Sequence, residues 1–496
     1  MRRPFLWLLA LVALYRLSLL GRGAQAFADE QWYFQSVLFL QSLAHGHVIE
    51  ACSHLTFSFA RPGLPLVMTV PGALQAIPFA FGVAASNPVS LLIPTACNVV
   101  ITLINLTLFY RLTLLLFEGN TAIALGAAAM YSLLANTNVY VRHTLGYDWS
   151  LCLFLLALWV MLSGPKTFTR ACGIGALMAG VGAVYPGYFP LIGVVGLVLI
   201  GDRGSDERAA RWQLAAGFLA GVAVVAGSLD IVCRIGGLSY VDHVRQLMGA
   251  QTQGSFAEGW SFFPRYLIDV ERFGGVALLA GFAVCVTRTV AEVARGRLRR
   301  IHYLVLAATA AWMWQAFSSA TLHSTVLYGR LLHPWFPFLV WATADAIAWS
   351  PRRGVRYTLG GLAITAACVS WIVFANQYYR LAYPADVLYA MGIDTARLPP
   401  DAMRCELRRV STYASPPPLN RATGAPYTTA TNYFLENFCQ GLAGRENLKL
   451  KTENVKLLFD GPHFMTLPAY GFEGLGPEDR LRMREMDYRV RVWAAK

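Results

Sequence analysis

The chain has 496 residues, 56% hydrophobic and 14% charged, with a formal net charge of +13. Soluble domains carry about 25% charged residues, so this composition excludes an ordinary soluble globule. The basic residues lie in short loops between apolar runs, which argues against a nucleic-acid-binding face and for a membrane protein obeying the positive-inside rule.

The charge is uneven along the chain. From residue 377 onward 29 of 120 residues are charged, against 40 of the first 376. That step predicts a membrane domain over 1–376 and a soluble domain over 377–496, with the boundary near Asn376. Arg2 and Arg3 precede an apolar run over 4–20, read as a retained first span rather than a cleaved leader. Further apolar runs lie near 64–84, 91–117, 121–140, 148–163, 171–201, 212–233, 274–290, 302–320, 331–349 and 357–376. A straight helix over 171–201 would be roughly 46 Å long, too long for a bilayer core of about 30 Å. Tyr185-Pro186-Gly187 in its middle predicts two helices and a tight turn.

Loop charge then fixes the topology. The loops Lys166–Arg170, Arg203–Arg211, Arg288–Arg300 and Arg352–Arg356 are basic and belong inside with Arg2 and Arg3. They fall on one side only if the run 64–84 does not cross. That run contains Pro65, Pro71 and Pro78, which disfavour a straight span. The expectation is a mainly α, polytopic fold of about eleven transmembrane helices. Its first extracytoplasmic loop, 21–90, would hold interfacial helices, and the C-terminal domain would be a small extracytoplasmic α/β unit. Strand-like Asn454–Phe459 and helix-like Pro477–Met486 suggest the latter. The bias to arginine (36 Arg, 5 Lys) suggests a bacterial inner membrane.

Three outward-facing clusters hold residues able to do chemistry. The first is Asp29-Glu30, followed by Trp32 and Tyr33, directly after the first span and before an interfacial helix over about Gln31–Leu43. Acids beside a lipid surface need a partner or a task. The plainer alternative is that Asp29 caps the next helix, with Glu30 in its first turn. The second is Arg142-His143-Thr144-Leu145-Gly146-Tyr147-Asp148, with Asp148 leading a span, again a candidate cap. The third is Arg330-Leu331-Leu332-His333-Pro334, with basic groups where a lipid phosphate would lie, or where an arginine simply snorkels. Arg61-Pro62 and Tyr185 complete the set. His45, His47 and His54 lack a tight metal-ligand spacing, so no metal is predicted and a divalent ion is left open. Of the nine cysteines, Cys405 and Cys439 lie in the tail and could pair in an oxidising compartment.

Taken together, the three clusters resemble the GT-C superfamily of membrane glycosyltransferases. The nearest likeness is to the protein O-mannosyltransferase and aminoarabinose-transferase branch. The resemblance rests on Asp29-Glu30 followed by Tyr33, on Asp148 leading a later span, and on Arg330-x-Leu332-x-Pro334 with Pro337 soon after. It covers residues 1 to about 376. Two features depart from that branch: Arg61-Pro62 replaces a Lys or His before proline, and Val184-Tyr185-Pro186 replaces a Thr-Lys turn. The resemblance implies a polyprenyl-phosphate-linked sugar donor and an inverting transfer to a hydroxyl of a lipid, glycan or protein acceptor. It implies Asp29 as general base, with Glu30 positioning it or the acceptor. Arg61, Tyr185, Arg330 and His333 would hold the donor phosphate, and Asp148, Tyr33 and His143 would lie in the donor site. The rival expectation is a lipid or solute transporter or flippase, which should show polar groups on broken helices at mid-membrane and paired halves. No internal repeat is visible in the sequence.

Overall fold

In the computed structural model, residues 3–21, 28–56, 60–83, 89–201, 208–251, 259–322, 327 and 329–380 are described, with three strands at 433–435, 455–462 and 489–495. The described part of 1–380 is helical. Helix α1 (Arg3–Ser18) leads to a 3-10 helix, Ala28–Tyr33, and to the short helices α2 (Phe34–Ala44), α3 (Val48–Thr56), α4 (Gly63–Val67) and α5 (Thr69–Ala80). The prolines of the run 64–84 divide it into α4 and α5, each too short to cross a bilayer.

The bundle continues with α6 (Leu92–Leu116), α7 (Thr121–Ser132), the one-turn α8 (Asn136–Val139), α9 (Tyr147–Leu162) and α10 (Phe168–Val184). A 3-10 turn, Pro186–Tyr188, separates α10 from α11 (Phe189–Gly201), as the proline-glycine pair predicts. Then come α12 (Arg208–Ile235), α13 (Tyr240–Gln251), α14 (Phe262–Tyr266), a π-helical turn Leu267–Glu271, and α15 (Arg272–Ala294). Last are α16 (Arg300–Ala320), a 3-10 segment Gly329–Trp335, α17 (Phe336–Ala348) and α18 (Arg353–Tyr378). Among the described residues, Leu92–Leu116, Arg211–Ile235, Phe262–Ala294 and Arg353–Tyr378 are long and apolar enough to cross a membrane. The other helices of the apolar runs are shorter. The expected continuous run 121–140 breaks after Ser132, because the backbone turns there to form α8. The run 331–349 begins in 3-10 geometry rather than as an α-helix.

Leu11 on α1, Leu219 and Ile231 on α12, and Leu362 and Ile372 on α18 expose large apolar side chains, while Arg16, Asn98, Asn105, Arg142 and Asp148 are buried. Apolar groups outside and polar groups inside are compatible with a hydrocarbon solvent. Small residues let the helices approach closely. Gly217 and Gly221 on α12 face α10, and a Cβ at Gly221 would overlap the carbonyl oxygen of Cys172. A Cβ at Gly281 on α15 would likewise overlap Thr343 on α17.

The three strands, β1 (Tyr433–Leu435), β2 (Val455–Pro462) and β3 (Arg489–Ala495), form an antiparallel sheet in the order β1-β3-β2. The expected helix over Pro477–Met486, Cys405 and Cys439 lie outside the described residues.

Two tests follow from the packing and the loop charges. Gly221→Leu should lower the thermal midpoint of the purified protein or prevent its accumulation, whereas Gly227→Leu, whose added Cβ meets nothing within 4 Å, should not. A single cysteine at His47 should react with an impermeant maleimide from outside intact cells, and one at Arg295 only after permeabilisation. The reverse pattern would invert the assigned orientation.

Candidate functional site

One group of buried polar residues surrounds the segment that enters α9. Asp148 is the second residue of α9 and does not cap it; the cap position is Gly146, which makes no side-chain bond. The Asp148 carboxylate instead turns inward. Asn105 on α6 donates to its backbone carbonyl at 2.9 Å and reaches its Oδ1 at 3.4 Å. His333 Nε2 stands 3.5 Å from the same oxygen. His333 is fully buried, and its Nδ1 is 2.8 Å from Asn136 Oδ1. Asn136 spends its amide N–H on the Tyr266 hydroxyl, so its oxygen faces the imidazole and Nδ1 carries the hydrogen. Nε2 is the atom that faces Asp148.

Asn136 is itself held from below. The Glu271 carboxylate accepts the backbone N–H groups of Ala135 and Asn136, both at 2.7 Å, and so caps α8. The chain places this carboxylate through a π-helical turn and a positive φ of 49° at Arg272, an unfavourable conformation for a side chain with a Cβ.

A ladder of aromatic rings beside this segment carries two arginines. Arg330 Nη1 donates to the Tyr147 hydroxyl at 2.8 Å. Tyr147 packs edge-on against Tyr140, at 5.0 Å between centroids, and against Tyr185, at 4.6 Å. Arg61 lies over the Tyr185 ring at 4.9 Å and over Trp32 at 4.1 Å. Tyr147 and Tyr185 are buried, while Arg61 and Arg330 are half-buried. Of the residues predicted from sequence, Arg61, Asp148, Tyr185, Arg330 and His333 thus form one connected group.

The remaining predicted residues stand differently. Glu30 does not lie in the first turn of α2. Its buried carboxylate accepts the Thr144 backbone N–H at 2.9 Å and meets His143 Nδ1 at 3.3 Å. The Thr144 hydroxyl donates back to the Glu30 carbonyl. Glu30 and His143 therefore clamp the 3-10 helix onto the turn that precedes Asp148. Tyr33 donates to Gln75 on α5 at 2.8 Å, and burial holds its phenol protonated well above the ordinary range. The interfacial helix begins at Phe34 rather than Gln31, with Tyr33 at its cap position and no side-chain cap. Asp29 is thus no cap of α2: it lies in the 3-10 helix beside Glu30, and its side chain is outside the described residues. His45, His47 and His54 each pair locally, with the Gln41 carbonyl, Glu50 and Gln35. Among the described residues no group of three or more His, Cys, Asp or Glu side chains is arranged to hold a metal.

Several contacts that matter here were not expected. Arg16, buried in the last turn of α1, donates to Asn138 at 3.0 Å. Asn98 donates to the His143 carbonyl and accepts from Trp149. Arg142 lies 3.3 Å over the Tyr378 ring at the end of α18. A charged residue inside an apolar run was a legible signal for Arg16. No sequence signal joins Asn136 to Glu271, because 135 residues separate them.

No family model, curated protein or solved structure matches the chain.

Replacing Glu271 by Ala orphans two buried N–H groups, each costing about 1–3 kcal/mol. Glu271→Ala should therefore lower the thermal midpoint clearly. Asp242→Ala, which removes an exposed pair with Arg245, should leave it unchanged.

Proposed function

We propose that this chain is a GT-C-like integral membrane glycosyltransferase that moves a sugar from a polyprenyl-phosphate donor to a hydroxyl acceptor at the non-cytoplasmic face. The observation that supports this reading most is the clustering of Arg61 and Arg330 on one aromatic ladder, beside the Asp148–His333 pair. The 3-10 helix bearing Asp29 is clamped to the same turn through Glu30. A carboxylate and guanidinium groups are what a transfer with a phosphate leaving group requires.

In this reading the acceptor oxygen attacks the anomeric carbon as its bond to the phosphate oxygen breaks. Asp29 takes the acceptor proton, and the leaving phosphate keeps the electron pair. A phosphate is a weak base, so it needs positive charge more than a proton donor. Arg61 and Arg330 supply that charge in a site partly shielded from water. His333 and Asp148 hold the inner wall, and Tyr185 and Tyr147 hold the two guanidinium groups. Glu30, His143 and Tyr33 act by positioning the 3-10 helix and its neighbours. The acceptor hydroxyl, whether of a lipid, a glycan or a protein, approaches from the side of Asp29. About eleven spans, an outward C-terminal domain and a bacterial inner-membrane location belong to the same proposal.

The test is transfer of labelled sugar from a polyprenyl-phosphate donor by the purified full-length protein. Asp29→Asn should lower turnover by about 10²- to 10⁴-fold, the usual contribution of a general base, at unchanged thermal midpoint. Arg330→Lys should weaken transfer markedly, because a lysine cannot reproduce the bidentate, stacked geometry. Wild-type turnover in Asp29→Asn would remove the base assignment. Label that crosses the membrane attached to its carrier, with no transfer, would favour the flippase instead.

A further inference from the structure

At the opposite end of the bundle from the candidate site, α7, α17 and α18 do not close on one another. α17 runs away from His333, and α18 returns from Arg353 to Tyr378 beneath Arg142. Between them and the start of α7 lies a slot of about 630 Å³. That volume falls in the range of small-molecule and cofactor pockets. Ile123 and Met130 on α7, Val340 on α17 and Ile364 on α18 form its walls, and Arg353 and Arg356 stand at its mouth. None of the residues lining it is acidic. From Arg353 to Ile364 the wall of α18 rises about 16 Å, roughly half the hydrocarbon thickness of a bilayer.

An apolar slot half a bilayer deep, entered past two arginines, has the dimensions and polarity of one leaflet of an anionic lipid. We propose that this slot binds a phospholipid of net negative charge. One acyl chain would lie between α7 and α18, and the head-group phosphate would sit between Arg353 and Arg356. By the loop charges this is the cytoplasmic leaflet, where basic pockets between helices recognise anionic head groups. The charge of the mouth decides the class of ligand. A zwitterionic lipid would bring a second cation to two guanidinium groups and gain less from them. The site is separate from the proposed transferase centre and does not depend on that reading.

The glycines of the slot supply a clean test. A Cβ added at Gly360 or Gly361 meets nothing within 4 Å, so a larger side chain there enters the slot without disturbing the helices. Full-length protein in mixed micelles would be titrated with phosphatidylglycerol and with phosphatidylcholine of matched chains. Inorganic phosphate would be a third arm, and bound ligand would be counted by native mass spectrometry. Wild type should retain one phosphatidylglycerol in preference to phosphatidylcholine, and inorganic phosphate should not displace it. Gly361→Leu should abolish that retention. Arg353→Gln/Arg356→Gln should weaken it by roughly 10- to 30-fold, the effect expected of two surface arginines facing an anionic lipid. Equal retention of the two lipids, retention undiminished in Gly361→Leu, or no retained lipid in wild type because another segment fills the slot, would each overturn the proposal. If Gly361→Leu does not accumulate, the arginine variant decides the matter alone, with unchanged retention counting against the site.

Discussion

Where water is excluded, every buried polar group must find its partner inside the protein, and that constraint organises one end of this bundle. Asp148, His333, Asn136 and Glu271 form an unbroken sequence of polar contacts drawn from four separate parts of the chain. Each member fixes the next. Glu271 holds the first turn of α8, that turn presents the Asn136 oxygen, the oxygen sets the tautomer of His333, and the imidazole then faces Asp148. Removing Glu271 or Asn136 leaves buried donors or acceptors unmatched, at a cost of about 1–3 kcal/mol each. The sequence therefore fixes geometry as well as stability. It positions α8 and the 3-10 segment around His333 relative to the start of α9, and Arg330 sits in that same segment.

The same logic explains why the first outer segment folds against the bundle. Glu30 would be an isolated carboxylate beside lipid if the 3-10 helix were mobile. Its partners, the Thr144 N–H and His143, sit in the turn that leads to Asp148. One buried acid thus couples the segment carrying Asp29 to the segment carrying Asp148. Glu30, expected to position Asp29 or the acceptor, holds by its contacts the 3-10 helix in which both acids lie.

How much of this could be read from the chain follows from what kind of signal each residue leaves. Apolar runs, prolines and loop arginines are local and strong. They placed most of the long helices and the break at Tyr185-Pro186, and marked the run 64–84 as poor material for a straight span. Asp29-Glu30, Asp148, Arg330 and His333 stood out because charged or titratable groups next to long apolar runs are rare. The capping expectation for Asp148 failed because a helix start with spare N–H groups is only one of the partners available to an inward-facing acid. Asn105 and His333 offered another. Asn136, Asn98 and Glu271 stayed invisible. An asparagine within an apolar stretch carries no directional signal, and the bond from Glu271 to Asn136 exists only once α15 packs beneath α8. Arg16 was the one avoidable omission, since an arginine inside the first apolar run is costly unless it has a partner.

Residues 1–376 contain a single lysine, Lys166, and otherwise meet their need for positive charge with arginine. The stacking at Arg61 shows why that choice suits a site at the membrane surface. A guanidinium is planar, and its two faces and its edge can do different work. Trp32 and Tyr185 lie against it, with ring centroids 4.1 and 4.9 Å from its central carbon, which offsets part of the loss of hydration. The N–H groups all point from the edge, where a phosphate could be met by two parallel hydrogen bonds. An ammonium has no faces to cover. Held against the same rings it would keep its charge, but its stronger hydration would oppose burial. Arg330 is tied to the same ladder by the hydrogen bond that it donates to the Tyr147 hydroxyl. The two arginines are thus fixed by different means to one aromatic ladder, so that anything displacing Tyr147 or Tyr185 moves both positive charges together.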